Sequence, residues 1–182
     1  MNKMTITAIA AALGLAFGTF AAAADMSKSD YNATKERIKS EYKTARAACD
    51  PLKHNAQDVC IAEAKGRQSV ALAELADFYQ PTRNHHHDAH IAKARADYAV
   101  AREKCDDQAG NAKDVCLKEA KAAQTAAMAD AKVQRKTADA RKDASADKND
   151  ADYAVAKEKC NALAGDVKET CVQDAKAHYG KS

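Results

Sequence analysis

The sequence predicts an all-α protein built as three consecutive disulfide-stapled antiparallel helical hairpins, with long alanine-rich helices and an elongated outline. Three observations carry that prediction. One unit recurs three times along the 182 residues, as Tyr42-x6-Cys49-x10-Cys60, Tyr98-x6-Cys105-x10-Cys116 and Tyr153-x6-Cys160-x10-Cys171. Around each cysteine pair, apolar residues fall three and four positions apart, the seam of one helix packed on another. The apolar content, 46%, is dominated by alanine, with no tryptophan and 5% aromatics. Alanine favours helix strongly but buries little surface, so thin helices packed in pairs are expected rather than a thick core.

Residues 1–24 read as a secretory signal peptide. Lys3 precedes an apolar run from about Ile6 to Phe20, and Ala22-x-Ala24 places the cut before Asp25. The run is shorter than the roughly 20 residues needed to span a bilayer. No cysteine follows the cut, which argues against a lipid anchor. A bacterial periplasm is the expected destination, with secretion to the medium as the alternative. Cleavage removes one lysine and leaves a net charge of +2, from +3 in the full chain. That balance lacks the basic stripe that nucleic acid requires.

The first hairpin, residues 25–80, takes a helix over about 28–52 with Tyr31, Ile38, Tyr42, Ala45 and Cys49 on one face. Pro51 and Leu52 occupy the turn, and Asn55 with Asp58 can cap the return helix over about 56–80. Its seam reads Ile61, Ala64, Gln68, Ala71, Leu75, Phe78, and the best-packed region is expected around Val70, Leu72, Leu75 and Phe78. Pro81 then ends the helix, because it lacks an amide hydrogen and restricts Gln80 before it.

The second hairpin, residues 81–136, starts from a cap at Thr82 or Asn84 and runs to about 109, with Ile91, Ala94, Tyr98, Ala101 and Cys105 in rhythm. Gly110 suits the left-handed position at a helix end, and Asn111 with Asp114 reads as a capping box. The return seam is Leu117, Ala120, Gln124, Ala127, Ala131. From Asn111 to Ala164 there is neither proline nor glycine. One helix of about 50 residues, on the order of 75 Å, is the preferred reading. A solvated linker near Ser145 to Asn149 is the alternative.

The third hairpin, residues 137–182, repeats the turn with Gly165, Asp166 and Glu169 and closes with a short helix over about 167–179. Val172, Ala175 and Tyr179 form its seam. Of the larger side chains, Ile38, Tyr42, Leu72, Leu75, Phe78, Ile91, Tyr98, Leu117 and Tyr153 are all expected on seams. The repeated tyrosines are read as packing residues rather than a binding platform.

Each cysteine pair faces across its own turn, so the expected disulfides are Cys49–Cys60, Cys105–Cys116 and Cys160–Cys171. Closing a loop of this size stabilises by roughly 3 kcal/mol in the chain-entropy model. Buried thiols or metal ligands are the alternative, but zinc sites favour Cys-x2-4-Cys spacing, which is lacking. An oxidising compartment is where such bonds persist, in keeping with an export signal.

One local constellation could carry chemistry: His85-His86-His87-Asp88-Ala89-His90. On a helix His86 and His90 share a face, as do His87 and His90. Neutral imidazoles at that spacing suit Zn, Cu or Ni, with Asp88 as a further ligand or orienting group. The competing reading is a polar entry to the second hairpin. His54 and His178 are isolated and read as surface residues. No phosphate loop, nucleophile elbow or zinc-protease motif is present, and Cys-x10-Cys is unlike the Cys-x-x-Cys of thiol oxidoreductases. An enzyme is not expected, and no cofactor beyond such a metal.

Three stretches carry a family resemblance: Ala96-Asp97-Tyr98-Ala99-Val100-Ala101-Arg102-Glu103-Lys104-Cys105, the run from Gly110 to Lys121, and the closing Ala175-Lys176-Ala177-His178-Tyr179-Gly180-Lys181. They resemble a group of small Ala/Lys-rich exported proteins of β-proteobacteria, often labelled TolA-like cell-envelope proteins. The resemblance implies an envelope setting. The leading expectation is therefore a non-enzymatic periplasmic helical protein with a structural, envelope-associated or stress-related role and a protein or envelope partner. A periplasmic metal binder using His85, His86, His87 and His90 is the second reading, and a holdase-type chaperone the third.

Overall fold

A computed structural model describes residues 26–181; the signal peptide expected over residues 1–24 falls outside the described residues. Five helices are present: α1 (Lys28–Ala47), α2 (Asn55–Tyr79), α3 (Arg83–Cys105), α4 (Gly110–Cys160) and α5 (Gly165–Tyr179). There is no strand among the described residues. Each helix packs on its neighbours in the chain and on no other, so the helices form a meander, α1 on α2, α2 on α3, α3 on α4 and α4 on α5.

Each start and stop has a local cause. Ser27 caps α1 by accepting from the Asp30 amide at 3.1 Å, and Thr82 caps α3 by accepting from the His85 amide at 3.1 Å. At the second and third turns the capping differs from the sequence expectation. α4 follows an extended Ala109 and α5 an extended Ala164, neither with a side-chain cap, and Asn111 lies inside the first turn. The reason is the residue at the cap: Ala109 and Ala164 carry no side-chain acceptor, while Gly110 and Gly165, with φ of +57° and +56°, turn the chain into the helix. In the first turn His54 stands at the equivalent position, six before the second cysteine, with φ of +51°. It caps α2 without a side-chain hydrogen bond, so Asn55 is not the cap either. The Nδ2 of Asn55 is buried and unpartnered.

All three local disulfides form, each with a Cα–Cα distance of 5.7 Å and a sequence separation of 11. The first cysteine of each pair is fully buried. The alanine four residues after the second is buried as well: Ala64, Ala120 and Ala175. The repeated core is thus a disulfide laid on an alanine, which lets two helix backbones approach closely. Larger buried side chains are few: Ile38 between α1 and α2, and Leu75.

Two seam assignments shift. Phe78 was expected in the packed region but is 68% exposed, and Tyr79 takes the place by stacking on Tyr31 at 4.5 Å between ring centroids. In α4 the seam passes through Gln124, Met128 and Ala131, leaving Ala127 exposed. Both places offer apolar residues at i+3 and i+4, and the helix turns through the second.

α4 is a single uninterrupted helix of 51 residues, roughly 75 Å at 1.5 Å per residue. Its first half packs on α3 and its last turns on α5, where Tyr153 meets Tyr179 at 6.2 Å. The boundary expected at 136/137 therefore lies inside a helix. α2 and α3 also form an interface of their own across the Pro81 corner. Gly66 makes it possible, since a Cβ there would stand 3.0 Å from the Ala96 Cβ. Among the described residues, no helix is long and apolar enough to cross a membrane.

Candidate functional site

Pro81 and the Thr82 cap fix where α3 begins and so set the histidines in its first two turns, against the end of α2 and the middle of α4. A cleft of about 290 Å³ opens there, lined among others by Asp77, Arg83, His86, His90, Gln134 and Arg135.

The four histidines do different things. His85 directs Nδ1 at the Gln80 carbonyl, 2.7 Å away, and closes the corner. His87 reaches the Ala131 carbonyl of α4 at 3.3 Å, tying the second hairpin together. Both contacts require a protonated Nδ1, because a carbonyl only accepts. These two rings serve the fold.

His86 and His90 face each other. Their Nε2 atoms are 3.3 Å apart, with the rings edge to face. His86 Nδ1 lies 3.0 Å from Oδ2 of Asp77, which is largely buried while the imidazole is 64% exposed. A carboxylate accepts, so it holds the proton on His86 Nδ1 and leaves His86 Nε2 to accept from His90 Nε2–H. Asp88, the expected orienting group, is exposed. Asp77 plays that part from the preceding helix, brought into reach by the corner. Sequence spacing within the histidine run could not point to it.

The four imidazoles do not converge. Among the described residues no group of three or more His, Cys, Asp or Glu side chains is arranged to hold a metal ion. What remains is a two-nitrogen site with a carboxylate behind one nitrogen. Nearby charge is mixed: Arg83 is bound to Asp139 of α4 at 2.6 Å, and Arg135 borders the cleft.

The seam tyrosines are half-buried in interhelical contacts. Tyr98 carries Lys121 Nζ over its ring at 5.3 Å, joining α3 to α4. His54 is a turn residue under backbone constraint, and His178 stacks edge-on against its neighbour Tyr179. No family model, curated protein or solved structure matches the chain.

Proposed function

We propose that this is an exported, non-enzymatic helical protein of the bacterial periplasm with a structural, envelope-associated role, working through the surface of its stapled meander. The observation that carries the reading is the threefold use of one disulfide at one spacing, each closing a single hairpin. Such bonds persist in oxidising compartments. The amino-terminal sequence and the resemblance to TolA-like exported proteins favour the same setting. The partner surface would be the exposed face of α4, where opposite charges alternate from Arg135 to Asp150.

Photocrosslinking in cells tests the proposal, with the reactive residue at Lys136, Ala140 or Ala144. The expected result is a discrete adduct with an envelope component in the periplasmic fraction. Retention of the chain in the cytoplasm, or no adduct from any of the three positions, would refute it.

A second reading is divalent transition-metal binding at the corner, favoured by the 3.3 Å approach of His86 Nε2 and His90 Nε2. Titration of untagged protein with Zn, Cu and Ni tests it. Saturable binding that is lost when His85, His86, His87 and His90 are all replaced by alanine is the expected outcome.

A further inference from the structure

We infer that the middle of α4 is a docking face for a second copy of this chain, the two helices lying antiparallel about a two-fold axis near Ala144. The inference rests on the reading that α4 offers the interaction surface, and it names one occupant of that surface.

The face itself is the first argument. At 3.6 residues per turn, Val133, Thr137, Ala140, Ala144, Ala151 and Val155 fall on one side of the helix. All six are exposed, Val133 by 61% and Val155 by 56%. Ala131, whose carbonyl meets His87 of α3, and Cys160, bonded to Cys171 of α5, lie on the opposite side. The rest of the chain therefore leaves this side open. Its small residues let a second backbone come close, as Gly66 does for Ala96 between α2 and α3.

Charge identifies the occupant. The signs mix along this stretch, but unevenly. From Lys132 to Lys142 five basic residues accompany one aspartate, and from Asp143 to Asp152 four aspartates accompany one lysine. Like charges also stand one turn apart, Lys132 beside Lys136 and Asp143 beside Asp147, a spacing that disfavours the helix on its own. Asp139 is paired with Arg83 and Asp150 with Lys181, whereas Lys132, Lys136, Asp143 and Asp147 make no ion pair among the described residues. A stretch with a basic first half and an acidic second half is complementary to itself reversed.

The antiparallel arrangement follows. A two-fold interface presents the same patch from both copies. Val133 and Val155 stand equally far on either side of Ala144, so reversal sets the valine of one end against that of the other. One edge of the strip carries Lys132 and Lys136 and then Asp143 and Asp147. In an antiparallel pair this edge meets itself end for end, lysines against aspartates. A parallel pair would instead lay the two basic halves side by side. The strip is narrow and its residues are small, so the association belongs to the weak, transient class.

Sedimentation of the untagged, disulfide-bonded chain at low salt tests the inference. The expected result is a monomer–dimer equilibrium that weakens as salt is added. Lys132→Glu/Lys136→Glu should weaken it about tenfold or more. Adding Asp143→Lys/Asp147→Lys to that variant should restore it, since the two ends have then exchanged sign. Circular dichroism checks that the variants keep their helix. All six native cysteines are paired, so a single added thiol reports on the axis. Ala144→Cys should oxidise to a covalent dimer and Val133→Cys should not, because its two copies would lie on the order of 33 Å apart. A monomer at every concentration up to about 1 mM, a dimer indifferent to the charge reversal, or Val133→Cys linking as readily as Ala144→Cys would overturn the inference. A monomer that still gives an envelope adduct in cells would leave the envelope reading standing. A dimer with these properties and no adduct to another component would uphold the inference and refute that reading.

Discussion

α2 and α4 are made of similar residues and are held in opposite ways. α2 lies between α1 and α3 and buries Ala64, Gly66 and Leu75 over 25 residues. α4 has twice the length and buries only Ala120, Ala131 and Cys160. Between Lys132 and Lys148 every α4 residue but Asp139 is exposed. Helix there rests on alanine, on mixed charge and on the helix at either end, because beyond the Arg83–Asp139 pair and the margin of the histidine cleft it buries nothing. The difference is between a helix that tertiary contacts would hold whatever its propensity and one that propensity must hold unaided. It follows that stability is unevenly spread, with local opening far easier in α4 and α5 than in α2.

The disulfides offer the sharpest way to break that contrast. Each contributes roughly 3 kcal/mol by loop closure, but what remains after its removal differs. Cys49→Ala/Cys60→Ala should lower global stability while α1 stays docked through Ile38 and the Tyr31–Tyr79 stack. Cys160→Ala/Cys171→Ala should release α5 altogether, since 15 residues are too few to hold a helix alone. Hydrogen exchange by mass spectrometry reads both. Retained protection across α5 in the second variant would show that packing of Ala175 and Tyr179 suffices without the staple.

Overpacking probes the same comparison from the side of α2. Gly66→Leu should cost about 1–3 kcal/mol, because its side chain must displace Ala96 across the α2–α3 interface. Ala144→Leu, on the bare stretch of α4, should change stability by less than about 0.5 kcal/mol. Thermal melts of the two variants should therefore diverge; equal midpoints would mean that the α2–α3 contact is looser than its geometry.

The first turn carries a histidine at the position where the other two carry a glycine. His54 holds φ +51° and ψ −144°, a region that glycine occupies freely and other residues enter at a cost of about 1–3 kcal/mol. Gly110 and Gly165 avoid that cost in the sister turns. His54→Gly should stabilise by about 1 kcal/mol after the extra freedom of glycine in the unfolded chain is discounted. A lower melting temperature would place an unrecognised contact on the His54 ring.

Much of this fold is legible in the sequence because it is local. The cysteine spacing gives the staples, and the absence of proline and glycine from 111 to 164 gives the long helix. Period alone also places Ile38, Ala94, Ala120 and Ala175. It fails where two apolar residues are adjacent, as at Phe78 and Tyr79 or at Ala127 and Met128, since a 3.6-residue helix can pass through either. It fails again for the second face of α2. A seam argument assigns one face per helix, and the only signal of another was a lone mid-helix glycine, which marks close approach of a backbone as often as flexibility. Asp77 was hidden for a different reason: its partner His86 is nine residues away across a proline corner, beyond any spacing rule.

The smallest effect tests whether the middle of α4 has any tertiary support. Arg83 and Asp139 pair at 2.6 Å with both side chains nearly half exposed, and theirs is the one ion pair linking Lys132–Lys148 to another helix among the described residues. An exposed pair contributes about 0–1 kcal/mol and is screened by salt. Asp139→Ala should therefore lower global stability by no more than about 0.5 kcal/mol, with the loss vanishing near 1 M NaCl. Its local effect should be more visible, as faster amide exchange confined to the turns flanking position 139. A loss well above this, persisting at high salt, would mean that the α3–α4 contact reaches further along α4 than the burial of Ala131 indicates. The division between a packed and a self-supporting helix would then have to be drawn nearer to α5.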